Sequence, residues 1–157
     1  MSATHPRNMS LEEREQFHQA AESEIETIHY QKPVPNGRPK QIAWLVRRPH
    51  MQVVVQCVHE GGENNLHYHT NSDTTWLVLK GRAIFEGMEG KFIADLGPME
   101  GVVIPGGSRY KFGKAGEEDL EILQMVAVHN PDDSNGDRIN LEVHREWMAD
   151  SSELTQY

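Results

Sequence analysis

The chain has 157 residues, a single cysteine and a formal net charge of −9, from 24 acidic and 15 basic side chains. That length serves one domain with one sizeable core, and the acidic balance, with no Lys/Arg run to track a phosphate backbone, excludes nucleic acid as an expected partner. One cysteine excludes an intrachain disulfide and fits a reducing compartment; with no leader-like apolar segment and no run long enough to span a bilayer, a cytoplasmic protein with no membrane partner is expected.

Residues 1–9 carry no periodicity. Ser10 followed by Glu13 is a capping box, and it predicts a short helix with Leu11, Phe17, Ala20 and Ala21 as its better apolar positions. Glu24 to Tyr30 alternates and reads as a short edge strand. Gln31 to Lys40 holds Pro33, Pro35, Pro39 and Asn36-Gly37, and reads as a loop. Residues 1–40 are therefore expected to be an N-terminal helix, an edge strand and a loop.

From residue 41 to 128 the pattern is all β. Expected strands are 42–46, ended by Pro49, then 51–58, 66–70 and 75–83, the last broken at Gly81. A hairpin of 84–86 and 91–94 turns at Met88 to Gly90, and strands at 101–104, 108–112 and 120–128 complete the set. Short strands at regular spacing with Gly/Pro turns predict a sandwich or barrel. Residues 129–157 are polar and irregular. Ile139 to Val143 alternates and reads as a strand added to a neighbouring copy, so this extension is the expected dimer contact.

The chemistry is concentrated at His67 and His69. Residues two apart on a strand point to one face, and two imidazoles on one face make half of a transition-metal site. The plainer reading is a pair of solvent-facing histidines. Cys57 sits in an apolar strand and reads as a small buried side chain rather than a nucleophile. Gln56 and Gln124 lie within apolar strands, where a glutamine ordinarily faces solvent; one of them facing a cavity would be a substrate hydrogen-bonder. The remaining histidines read as surface residues, His59 being the strongest candidate among them.

Gly61, His67, His69 and Gly81 resemble the first motif of the cupin family, a glycine, His-x-His, a glutamate and a closing glycine. Pro105-Gly106-Gly107-Ser108-Arg109-Tyr110 resembles the second, Pro-x-Gly-x-x-His. The resemblance covers roughly residues 40–128 and implies an all-β, cupin-like double-stranded β-helix, a jelly-roll barrel, behind a short N-terminal helix. It also implies a homodimer.

The departures from the pattern fall on the ligands. The usual glutamate falls on Thr74, whose neutral hydroxyl is a poor ligand. Asp73 beside it follows a turn one residue longer than the commoner spacing, which would re-aim it inward. Tyr110 replaces the third histidine, Lys114 the following asparagine, and Met99 the glycine that opens the second motif.

If His67 and His69 point inward, strand parity puts Thr74, Trp76 and Val78 on the inner face of the next strand. The resemblance then implies one divalent transition metal, Fe(II) ahead of Zn(II), Mn(II) or Ni(II). His67 and His69 would hold it, with Asp73 or Tyr110 completing the shell. Tyr110, Trp76 and Gln56 are the expected catalytic and pocket residues, and Arg109 flanks the mouth. The expected function is a metal-dependent small-molecule enzyme with dioxygenase, lyase or isomerase/cyclase chemistry. The alternatives are a metal-free isomerase or epimerase using His69 and Tyr110 as an acid–base pair, and a non-catalytic small-molecule-binding cupin.

Overall fold

The computed structural model describes residues 6–133 and 137–142. The helix α1 spans Leu11–Ser23. Its capping box forms as expected: Ser10 Oγ accepts from the Glu13 amide at 3.3 Å, and Glu13 Oε2 accepts from the Ser10 amide at 2.7 Å. No residue of α1 is buried, so local terms such as this cap hold it, at about 1 kcal/mol for the cap.

The edge strand expected over Glu24 to Tyr30 does not form; these residues have no regular structure. Their alternation serves side-chain anchoring instead of a backbone ladder. Arg48 pairs with Glu24 at 3.0 Å and with Glu26 at 3.3 Å. Tyr30 OH donates to Glu121 Oε2 at 2.8 Å and lies 3.4 Å from Cys57 Sγ. Cys57 is buried, as expected, and desolvation raises its thiol pKa above the ordinary value.

Ten strands follow among the described residues: β1 (Lys40–Arg48), β2 (Met51–Val58), β3 (His67–His69), β4 (Ser72–Lys80), β5 (Ala83–Glu86), β6 (Phe92–Leu96), β7 (Gly101–Ile104), β8 (Lys111–Lys114), β9 (Leu120–Val128) and β10 (Arg138–Asn140). All described strand pairings are antiparallel. They form a sheet of order β1-β2-β9-β4-β7, a sheet of order β6-β5-β8, and the pair β10-β3.

The run expected at 75–83 is two strands, because Gly81 breaks it at φ +79, a conformation that L side chains rarely adopt. A Cβ there would also lie 2.5 Å from the Asp119 carbonyl oxygen. Met99, at the position the family pattern gives to glycine, adopts φ 66. The alternating tail segment, expected at 139–143, finds a partner within the chain. Its Arg138–Asn140 portion pairs with β3 of its own chain, Arg138 opposite His69 and Asn140 opposite His67; Val143 lies outside the described residues.

The register fixes the interior. Thr74 pairs with Val126, Trp76 with Gln124 and Val78 with Ile122, while Val54 faces Gln124 and Gln56 faces Ile122. β4 alternates cleanly, with Ser72, Thr74, Trp76 and Val78 buried between partly exposed neighbours. Trp76, Phe85, Tyr110 and Phe112 fill one half of the core with Val58, Val78, Leu120 and Ile122. Burial of such side chains contributes about 2 kcal/mol each. The other half is polar, and the histidines sit there. Among the described residues no helix is long and apolar enough to cross a membrane.

Candidate functional site

β3 carries His67 and His69 on one face, 1 % and 5 % exposed. The strand is held on both sides. β10 pairs along one edge, and on the other the His67 amide donates to the Tyr110 carbonyl at 3.1 Å while the Tyr110 amide donates back at 2.9 Å. That bridge lays the Tyr110 ring against His67, with centroids 4.5 Å apart.

Each imidazole has a fixed partner at Nδ1. His67 Nδ1 meets the Asn65 carbonyl oxygen at 2.7 Å, and His69 Nδ1 meets Asp137 Oδ2 at 2.8 Å. A carbonyl and a carboxylate only accept, so both rings donate from Nδ1 and a neutral ring carries its lone pair at Nε2. Burial, reinforced by the charge of Arg138, lowers the His67 pKa to about 2 and keeps the ring neutral. For Asp137, burial pushes the pKa up, but hydrogen bonds from His69, Ser72 and the Asn71 amide overcome it and bring it down to about 2.

β4 forms the facing wall. Ser72 Oγ donates to Asp137 Oδ2 at 2.6 Å, and Trp76 Nε1 donates to Tyr110 OH at 3.3 Å. Thr74 lies between Ser72 and Trp76 on the same buried face. Its Oγ1 is buried and finds no hydrogen-bond partner among the described residues. Gln52 Oε1, on the inner face of β2, is likewise buried without one. Gln52 and Thr74 flank Val126 in the register.

The sequence-selected residues fall into different places. Trp76 and Tyr110 are in the interior, Trp76 1 % and Tyr110 0 % exposed, between the histidines and the aromatic core. Gln56 and Gln124 do not face solvent as a strand glutamine ordinarily would. Both point inward, and Gln56 Nε2 donates to Gln124 Oε1 at 2.9 Å. Asp73 is not re-aimed inward. Strand alternation puts it on the outer face, where Oδ1 accepts from the Gly106 amide at 2.7 Å and Oδ2 pairs with His129 Nε2 at 3.2 Å. Arg109 is exposed. His59 pairs with Asp119 at 2.9 Å, and His144 lies outside the described residues. A cavity of about 280 Å³ lined by Asn64, Lys111, Phe112 and Glu142, among others, includes neither site histidine.

Sequence reasoning missed Asp137. It sits just ahead of the alternating 139–143 segment, so the signal was present, but only the pairing of β10 with β3 brings its carboxylate to His69.

These donors fit a divalent metal only in part. Two imidazoles with Nε2 lone pairs, their centroids 5.2 Å apart and their planes at 84°, suit two neighbouring positions around one ion. Each also has the Nδ1 hydrogen bond that orients metal-binding histidines. The oxygen side is weaker. Asp73 faces out, Asp137 is engaged by His69, Ser72 and Asn71, and Thr74 offers only a neutral hydroxyl. Among the described residues, no group of at least three His, Cys, Asp or Glu is placed to hold a metal ion. The charges of Arg138 and Lys40, which lower the His67 pKa, also oppose a second cation.

Comparison with known proteins places this architecture. Residues 54–126 match the family model described as Cupin domain. No curated protein sequence matches the chain. Among solved structures, it resembles an uncharacterized conserved protein with a double-stranded β-helix domain from Klebsiella pneumoniae. The TM-score is 0.58 at 21% identity, over 70% of this chain and 90% of that one. An RmlC-like cupin family protein from Methanocaldococcus jannaschii gives a TM-score of 0.56 at 18% identity, over 69% and 94%. KdgF from Halomonas sp. gives 0.53 at 21%, over 66% and 92%. The matched domain and the antiparallel barrel that contains it agree with the motif resemblance: residues 54–126 are a cupin domain, and the chain has the double-stranded β-helix fold.

Proposed function

We propose that this cupin is a small-molecule enzyme whose reaction centre is the interior cluster of His69, His67 and Tyr110, working by proton transfer as an isomerase, epimerase or lyase. One observation carries the reading: both imidazoles are tied at Nδ1 to acceptors, so each neutral ring offers a lone pair at Nε2. His69 is the base. Its carboxylate partner steadies the imidazolium that forms when it takes a proton, as in other acid–base sites. Tyr110, whose OH accepts from Trp76 Nε1 beside the His67 ring, is the acid. Thr74 Oγ1 and Gln52 Oε1, buried and unpartnered among the described residues, are groups for a bound molecule to satisfy.

A second reading, a divalent-metal enzyme of oxygenase or lyase type, is favoured by the near-perpendicular pair of rings 5.2 Å apart. There a bound Fe(II), Zn(II), Mn(II) or Ni(II) would supply Lewis-acid or redox chemistry. His67 and His69 would hold it.

One experiment separates these readings. The purified protein is incubated with a low-molecular-weight cell extract, with and without a strong chelator, and beside H69A and Y110F variants; compounds consumed and formed are followed by mass spectrometry. The acid–base reading expects a conversion that survives chelation and is lost in H69A. A conversion stopped by chelation and restored by one metal supports the second reading. Compounds retained by the protein with no conversion would overturn both and leave a binding protein.

A further inference from the structure

β10 and Asp137 just ahead of it lie beyond the stretch that matches the cupin model, residues 54–126, yet β10 pairs with the strand that carries both imidazoles and Asp137 meets one of them directly. We propose that this C-terminal segment is a strap that completes the site, with Asp137 the positioning residue that fixes which nitrogen of His69 carries the proton. The inference rests on the reading of His69 as a functional base or ligand.

Asp137 is shared by three donors from the site. His69 Nδ1 donates to Oδ2 at 2.8 Å, Ser72 Oγ to the same oxygen at 2.6 Å, and the Asn71 amide to Oδ1 at 2.5 Å. One carboxylate thus joins β3, β4 and the turn between them to the strap. A carboxylate has lone pairs for all three donors and no proton to offer back at neutral pH, so His69 can meet it only as a donor.

The same strand has a second tie. Arg138 Nη2 donates to Asn65 Oδ1 at 2.5 Å, and Asn65 Nδ2 donates to Asn140 Oδ1 at 3.1 Å. The backbone carbonyl of that same Asn65 accepts from His67 Nδ1. The Leu141 amide donates to the Leu66 carbonyl at 2.9 Å, and Glu142 Oε2 accepts from the Leu66 amide at 3.0 Å. The strap therefore clamps the residues on either side of the histidine strand as well as one ring directly.

The chemical consequence falls on Nε2. With Asp137 in place, Nδ1 holds the proton and the lone pair stands at Nε2. Without it, the ring returns to the Nε2–H tautomer that histidine side chains favour in water, and the nitrogen needed for proton transfer or ligation is blocked.

The test reads tautomers, not turnover. Full-length protein labelled with ¹⁵N at histidine is examined near neutral pH by long-range ¹⁵N–¹H correlation, as native protein and as D137A and S72A. The expected result is Nδ1–H for His67 and His69 in the native protein and in S72A. In D137A, His69 is expected to go over to predominantly Nε2–H while His67, held by a backbone carbonyl, keeps its form. His69 remaining Nδ1–H in folded D137A would overturn the proposal. Should D137A not fold, the native protein decides: a slowly exchanging His69 Nδ1 proton is expected, and rapid exchange with solvent overturns the strap. A shifted tautomer in D137A together with a conversion unaffected in H69A would sink the proposed function alone.

Discussion

His69 and Asp137 stand 68 positions apart in the chain and meet at 2.8 Å through Nδ1 and Oδ2. The contact joins the histidine strand to a segment outside the matched cupin domain. It also replaces the nearest carboxylate in sequence, Asp73, which the fold turns to the outer surface.

His67 makes the stability of this protein acid-sensitive. Its folded-state pKa is depressed from 6.5 to about 2, chiefly by burial. The unfolded chain therefore binds the proton first. The stability gained by keeping this ring neutral is fully present above pH 6.5 and is lost as the pH falls toward 2. The slope should approach about 1.4 kcal/mol per pH unit below the unfolded value. H67N retains a donor for the Asn65 carbonyl but cannot titrate. Its melting temperature should fall less steeply than that of the native protein between pH 6 and pH 4.5 (about the span between the histidine and carboxylate ranges). Parallel curves would refute the assignment.

Gln56 and Gln124 form a buried amide pair, both 2 % exposed. Removing one partner leaves a buried polar group to be desolvated, at about 1–3 kcal/mol. Urea unfolding of Q56L, Q124L and the double variant should show the double costing less than the sum of the singles. Strict additivity would mean that the two side chains do not support one another.

Thr74 is buried on the inner face of β4, between Ser72 and Trp76. T74E should supply the anionic oxygen ligand that the described donors lack. Its expected signature is metal held near one equivalent per chain, above the native level, in plasma mass spectrometry of protein purified without chelator. Melting should also rise on adding Zn(II), because binding to the folded state alone stabilises it. A variant that takes up no more metal than the native protein would show that residue 74 does not face the imidazoles.

Local pattern determined a good deal of this molecule. The capping box at Ser10 and Glu13 is a contact across three residues, and it forms as the sequence states. The period of two in strands puts His67 with His69, and Thr74 with Trp76 and Val78, on shared buried faces. The glycine and histidine motifs identified a cupin barrel, which the family match and the fold bear out. Each of these features is decided within a few residues of chain.

Tertiary structure decided what depends on register between distant strands. The pairing of β2, β9 and β4 turned Gln56 and Gln124 inward. The unbroken alternation of β4 through Ser72 and Thr74 sent Asp73 outward. Glu24 to Tyr30 alternates as a strand would, yet it is tied down by Arg48 and Glu121 side chains rather than by a ladder. The Asp137 carboxylate reaches His69 only because β10 pairs with β3 in its own chain. Alternation says which residues share a face, but the choice of partner strand follows from the packing of the whole barrel, where no short stretch of sequence carries the information.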